Sequence, residues 1–211
     1  MAEARVNDQM LTEWDGGALP YAVGHKKLGM WLFIMSDSLT FSALLVGYAY
    51  VRLSSDVWAK PFPFYPSIIF STVMTACLLS SSLTMVMAVS ASERRDRGGV
   101  VKWILATIAG GLAFLILHLI EWNHLIGEGL RPFTVPAEWG EGASPLFGAT
   151  FFTITGLHMF HVFTGVIYLG VTAARKRATH EDVEISGLYW HFVDLVWMFV
   201  FPLIYLLSIR Y

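Results

Sequence analysis

The sequence predicts an all-α protein: an integral membrane bundle of five transmembrane helices, with the N-terminus cytoplasmic and the C-terminus outside. Three observations carry this prediction. Of 211 residues, 55% are hydrophobic and only 14% charged, where a soluble domain carries about a quarter charged. Five apolar runs are each long enough to cross a hydrocarbon core about 30 Å thick, which takes about 20 helical residues. Lysine and arginine are also spread unevenly over the segments between those runs.

Residues 1–24 precede the first run and are expected to form a cytoplasmic tail, with 25–211 as the membrane domain. The tail has no continuous apolar stretch of the signal-peptide kind and contains Glu3, Asp8, Glu13 and Asp15, so the first span is expected to act as its own insertion signal. The spans are expected at about 28–51, 67–90, 101–123, 147–174 and 188–209. Between them, "KPFPFYP" (60–66) contains three prolines, "SERRDRGG" (92–99) is polar, and "EGLRPFTVPAEWGEGASP" (128–145) reads as a long surface loop rich in glycine and proline. With the N-terminus inside, the inner segments hold Arg5, Lys26, Lys27, Arg94, Arg95, Arg97, Lys102, Arg175, Lys176 and Arg177. The outer segments hold Arg52, Lys60, Arg131 and Arg210. The positive-inside rule selects this orientation.

Composition also narrows the function. With 14 Lys and Arg against 16 Asp and Glu, there is no basic field for nucleic acid. A lone cysteine, Cys77, rules out an internal disulfide and a cysteine-based metal framework. The chain has no phosphate-binding loop, nucleophile elbow or dinucleotide fingerprint. Gly110, Gly111, Gly156 and Gly165 are expected where helices approach closely. Trp58, Trp103, Trp139 and Trp190 fall near span ends, where interfacial anchoring is the default role.

Ionisable residues within spans are expensive, and each is a functional-site hypothesis. They are Asp37, His118, Glu121, His158, His161, His191 and Asp194. Asp37 lies about nine residues into the first span, roughly 14 Å along the axis, so it is expected to be protonated or paired within the bundle. In "ITGLHMFHVFTGV" (154–166) the two histidines share a helix face. Three readings of the histidines stay open. Glu121 and His124 spell half of a bundle-type di-iron site, though the second Glu-x-x-His and two further glutamates are missing from the spans. Facing histidines, His118 with one from the fourth span, can ligate haem iron. Alternatively the rings are structural, bonding across helices to hydroxyls such as those of Thr153, Thr155 and Thr164.

The segments "GMWLFIMSDSLTF" (29–41), "HLIEWNHLI" (118–126), "FGATFFTITGLHMFHVFTGVIYL" (147–169) and "EISGLYWHFVDLVWMFVFPLIYLL" (184–207) closely resemble subunit III of the haem-copper oxidases. The resemblance runs from about residue 24 to the C-terminus, with the segments in the family's order and the run Tyr189 to Asp194 its most specific part. Seven helices are common in that family; this chain resembles the shorter form that lacks the first two.

The resemblance implies a non-redox accessory subunit of a proton-pumping terminal oxidase. No cofactor is expected in this chain, with haem and copper in partner subunits I and II and phospholipid bound beside the bundle. It further implies that His158 and His161 are hydrogen-bonding members of a buried polar network with Glu121, His191 and Asp194. Asp37 matches the family carboxylate that reacts with carbodiimides. Most cytochrome c oxidase members have glutamate there, and the Ser-Asp version resembles the quinol oxidase branch. Glu121 and Glu184 fall on acidic positions of the family. Subunit III of this family packs beside subunit I and sustains proton uptake, which makes His25, His180, Asp182, Glu184 and His191 candidate proton-collecting groups. Arg175, Lys176 and Arg177 are candidate contacts for anionic headgroups.

The implied location is the bacterial plasma membrane or the mitochondrial inner membrane. Two alternatives are an accessory protein of a nitric oxide reductase, which shares the short form, and a stand-alone metal-dependent membrane oxidoreductase.

Overall fold

The computed structural model describes residues 24–175 and 178–210. Most of the expected tail, together with Lys176 and Arg177, therefore lies outside the described residues. Five long helices follow one another: α1 His25–Leu53, α2 Ile69–Glu93, α3 Arg97–Gly127, α4 Leu146–Ala174 and α5 His180–Val200. Each is long and apolar enough to cross a membrane, and a helical extension carries α5 on to Ser208.

The five expected spans are all present, but several helices run further than hydropathy alone indicates, because their ends are set by caps. At the start of α3 the Asp96 side chain accepts from the Gly99 N–H. At the start of α5, Thr179 and Asp182 form a reciprocal capping box, each side chain accepting from the other's backbone N–H. This moves the start of the fifth helix eight residues ahead of the expected 188. Near its far end Pro202 lacks an N–H to donate back, and the helix widens into a π turn over Phe201–Tyr205.

The antiparallel pair α2–α3 is the most extensive contact, and α5 packs on α1, α2 and α4. In its most apolar window α5 is 50% buried and α1 only 11%, so α5 is the central helix and α1 a peripheral one. Close approach follows glycine as expected. A Cβ on Gly110 would meet the Cβ of Ser81 at 2.6 Å, one on Gly111 the Trp190 ring at 2.5 Å, and one on Gly165 the Tyr189 and Trp190 rings at 3.0 Å.

Trp190 departs from its expected anchoring role. It is fully buried and donates its indole N–H to Ser81 Oγ at 3.0 Å, because two glycines open a slot for it at the centre of the bundle. Trp139 is also buried. The 128–145 loop folds back on the connection between α1 and α2: Lys60 N–H donates to the Trp139 carbonyl, and Ser144 N–H to that of Val57. Two short strands, β1 Phe62–Pro63 and β2 Ile209–Arg210, pair in parallel. Beside them the Arg52 guanidinium donates to Tyr48 Oη, Ser208 Oγ and the Leu207 carbonyl, fastening the last helical turn to α1.

Candidate functional site: polar groups inside the bundle

The described polar groups fall into four arrangements. In the first, Asp37 on α1 faces His161 on α4, with Oδ2 3.3 Å from Nε2 and both side chains nearly buried. His161 Nδ1 lies 2.8 Å from the Leu157 carbonyl oxygen. A carbonyl only accepts, so Nδ1 carries a proton, and Nε2 is the atom left to meet the carboxyl. A carboxylate facing an unprotonated Nε2 would be repulsive. Oδ2 itself makes no hydrogen bond in good geometry among the described residues, so the two groups face each other without a formed bond.

In the second arrangement Glu121 on α3 accepts from Ser71 Oγ at 2.6 Å and from Tyr205 Oη at 2.7 Å. One donor to each oxygen ties α2, α3 and the last turn together. His118 Nδ1 stands 3.9 Å from Oε2, beyond hydrogen-bonding reach. His124, the other half of the Glu-x-x-His pattern, points away from Glu121; its side chain is 64% exposed, with Nε2 3.4 Å from Glu128. The two residues do not converge. Among the described residues no three His, Cys, Asp or Glu side chains are placed to share a metal ion.

In the third, the fully buried rings of His118 and His158 sit in an aromatic cage. His158 stacks on Trp197 at 4.9 Å, His118 meets Trp197 edge-on at 5.5 Å, and Phe114 lies 5.6 Å from both imidazoles. Neither ring finds a hydrogen-bond partner among the described residues. The expected bonds to threonine hydroxyls are not made by His158: Thr155 donates to its own helix at Phe151, and Thr164 bonds the His161 carbonyl and Tyr189 Oη. A threonine one turn away satisfies its own backbone more easily than it spans to a ring packed against tryptophan. His161 bonds the Leu157 carbonyl of its own helix, and His158 packs as an aromatic.

The fourth gathers at the end of the bundle where α1 and α5 begin and α2 ends. Lys26 pairs with Asp182 at 2.9 Å and Lys27 with Glu184 at 2.6 Å. His180 Nδ1 lies 3.2 Å from Ser92 Oγ. His25 and Arg175 are exposed, and the Arg175 carbonyl accepts from Arg97. Further into the bundle His191 Nδ1 meets Ser82 Oγ at 2.7 Å, and Asp194, one turn beyond on α5, is buried.

Sequence reasoning identified the acids and histidines but not their partners. Ser71, Ser82, Tyr205, Lys26 and Lys27 are unremarkable in sequence, and only helix packing brings them into place.

Several known proteins share this pattern. A family profile described as cytochrome c oxidase subunit III matches residues 16–209. Cytochrome c oxidase subunit 3 of Alkalihalophilus pseudofirmus is 31% identical over 198 residues, covering 88% of each chain. Cytochrome bo(3) ubiquinol oxidase subunit 3 of Pseudomonas aeruginosa is 28% identical over 198 residues, covering 88% of this chain and 86% of that one. Cytochrome c oxidase subunit 3 of Bacillus subtilis is 30% identical over 190 residues, covering 87% of each. With five membrane-length helices and a match along nearly its whole length, this chain belongs to the cytochrome c oxidase subunit III family.

Proposed function

We propose that this chain is the non-redox accessory subunit of a haem-copper terminal oxidase in a bacterial plasma membrane. It packs against catalytic subunits I and II, which carry the haem and copper, and binds phospholipid at its margins. The family match along the chain carries this reading. The donor geometry agrees with it: Glu121 is engaged by Ser71 and Tyr205, and His161 by Leu157 and Asp37. In this reading the end bearing Lys26, Lys27, His180, Asp182 and Glu184 faces the cytoplasm, as the positive-inside rule requires. There it presents titratable groups, with His25 and His191, that collect protons for the neighbouring catalytic subunit. Arg175 stands at headgroup level on the same side.

The test is to purify the tagged chain from its native membrane in mild detergent and identify what travels with it. Recovery of an oxygen-reducing haem-copper subunit supports the reading, whereas a nitric oxide-reducing partner replaces it with the neighbouring alternative. Metal retained by the chain after separation from every partner, and lost in His158→Ala, would overturn it.

A further inference from the structure

A cavity of about 460 Å³ opens between α1, α2 and α5 at the charged end of the bundle, lined by Lys27, Val86, Ser90, Glu93, Glu184 and His191 among others. That is room for several waters, each of which occupies about 30 Å³ in the liquid. His191 is the deepest polar group on its wall along α5. Beyond the wall its Nδ1 meets Ser82 Oγ at 2.7 Å, and Asp194 follows three residues later on the same face of α5. Asp194 is 4% exposed, and neither of its oxygens has a hydrogen-bond partner in good geometry among the described residues. It lies ten residues past Glu184 on α5, about 15 Å deeper, which is half of a hydrocarbon core about 30 Å thick.

We propose that Asp194 is a proton-binding site at the middle of the bundle, exchanging with solvent through this cavity by way of Ser82 and His191. The geometry of the file supports it. An ionised carboxylate at this depth with no cation beside it is costly, so the resting group is the acid, and an acid needs somewhere to donate. When Ser82 donates to His191 Nδ1, the serine oxygen is free to accept from the Asp194 O–H, and every donor then points toward the cavity. One proton leaves Asp194 for Ser82, the serine proton passes to Nδ1, and His191 releases one from Nε2 to solvent. Ser82 Oγ gains one proton and loses one, His191 takes one at Nδ1 and gives one up at Nε2, Asp194 is left as the carboxylate, and the reverse sequence from solvent restores the acid.

The charged and titratable groups on the elements packed against α5 are accounted for elsewhere, including His118 of α3 in the aromatic cage and Glu121 of α3, which accepts from Ser71 and Tyr205. On α1, Lys27 lines the cavity paired to Glu184, Lys26 is held by Asp182, and Asp37 is committed to His161. On α2, Glu93 lies at the cavity mouth. On α4, His158 is enclosed by Phe114 and Trp197. His191 and Ser82 are therefore the polar route left to Asp194. The route runs through this chain's own residues alone and does not depend on whether the chain collects protons for a partner.

Infrared spectroscopy of the isolated complex, transferred from H2O to D2O, tests it. The expected result is a protonated-carboxyl band that is absent in Asp194→Asn and shifts on deuteration. In His191→Phe, which removes the relay, and in Val86→Trp, which fills the cavity from its exposed side, exchange should slow by about tenfold or more, since it then requires local opening of the bundle. If His191→Phe fails to assemble, Ser82→Ala takes its place. Slowing in both variants supports the proposal. No band lost in Asp194→Asn, no deuterium shift in the parent complex, or an unchanged rate in either variant overturns it.

Discussion

At the scale of single residues, the buried acids differ in what surrounds them, and their substitutions should differ accordingly. Asp37 faces His161 at 3.3 Å, and the Nδ1 of that ring is fixed by the Leu157 carbonyl. Asp37→Asn still offers a donor to Nε2 but cannot exchange a proton with it. The complex should therefore assemble with that variant yet show altered turnover or a shorter catalytic lifetime, measured as oxygen consumption over many turnovers. Unchanged rates and lifetime would reduce Asp37 to packing. Glu121 depends instead on Ser71 and Tyr205. Tyr205→Phe leaves a buried carboxyl oxygen without its donor, which costs about 1–3 kcal/mol, and should lower the Tm of the detergent-purified subunit. The presence of these acids was legible in the sequence, because an ionisable residue in an apolar run stands out. Their partners were not, since a serine or tyrosine in a span looks the same whether or not it faces a carboxyl.

At the scale of elements, helix ends and helix contacts are governed by different physics. Thr179→Ala removes the side chain that accepts from Asp182 N–H and should cost about 1 kcal/mol, read as faster amide exchange in the first turn of α5 with the rest of the helix unaffected. Helix contacts are sensitive to volume. Gly111→Ala drives a methyl into the Trp190 ring and should destabilise the bundle by about 1–3 kcal/mol through overpacking. Gly47→Ala, at a position with no neighbour within 4 Å, should be neutral or slightly stabilising. Comparing the Tm and detergent yield of the two variants checks this pair. Both glycines lie within apolar runs of the sequence. What separates them is whether another helix carries a tryptophan at the same height, which depends on which faces the packing brings together.

For the whole molecule, the uneven charge distribution and the peripheral position of α1 are the governing features. The orientation inferred from charge predicts that, in a Cys77→Ala background, Ser54→Cys reacts with a membrane-impermeant maleimide in intact cells while Arg94→Cys reacts only after lysis. The reverse pattern would invert the bundle and place the Lys26 to Glu184 cluster outside. The charged end is also where the ion pairs Lys26–Asp182 and Lys27–Glu184 join α1 to α5. Surface pairs of this kind add little to stability, so they serve mainly to keep titratable groups at that end.

From the sequence alone came the solvent, the number and order of spans, the expected orientation and the identity of every buried acid and histidine. These follow from local composition, because a bilayer demands apolar runs of set length and penalises every charge within them. Tertiary structure alone decided that His161 is a hydrogen-bonder while His158, three residues earlier on the same helix, packs as an aromatic against Trp197. It decided equally that Trp190 fills the core and that His191 stands between a cavity and Asp194. Those distinctions depend on which side chains of other helices arrive at the same depth. That is set by the fit of whole helix faces, and no local stretch of sequence carries it.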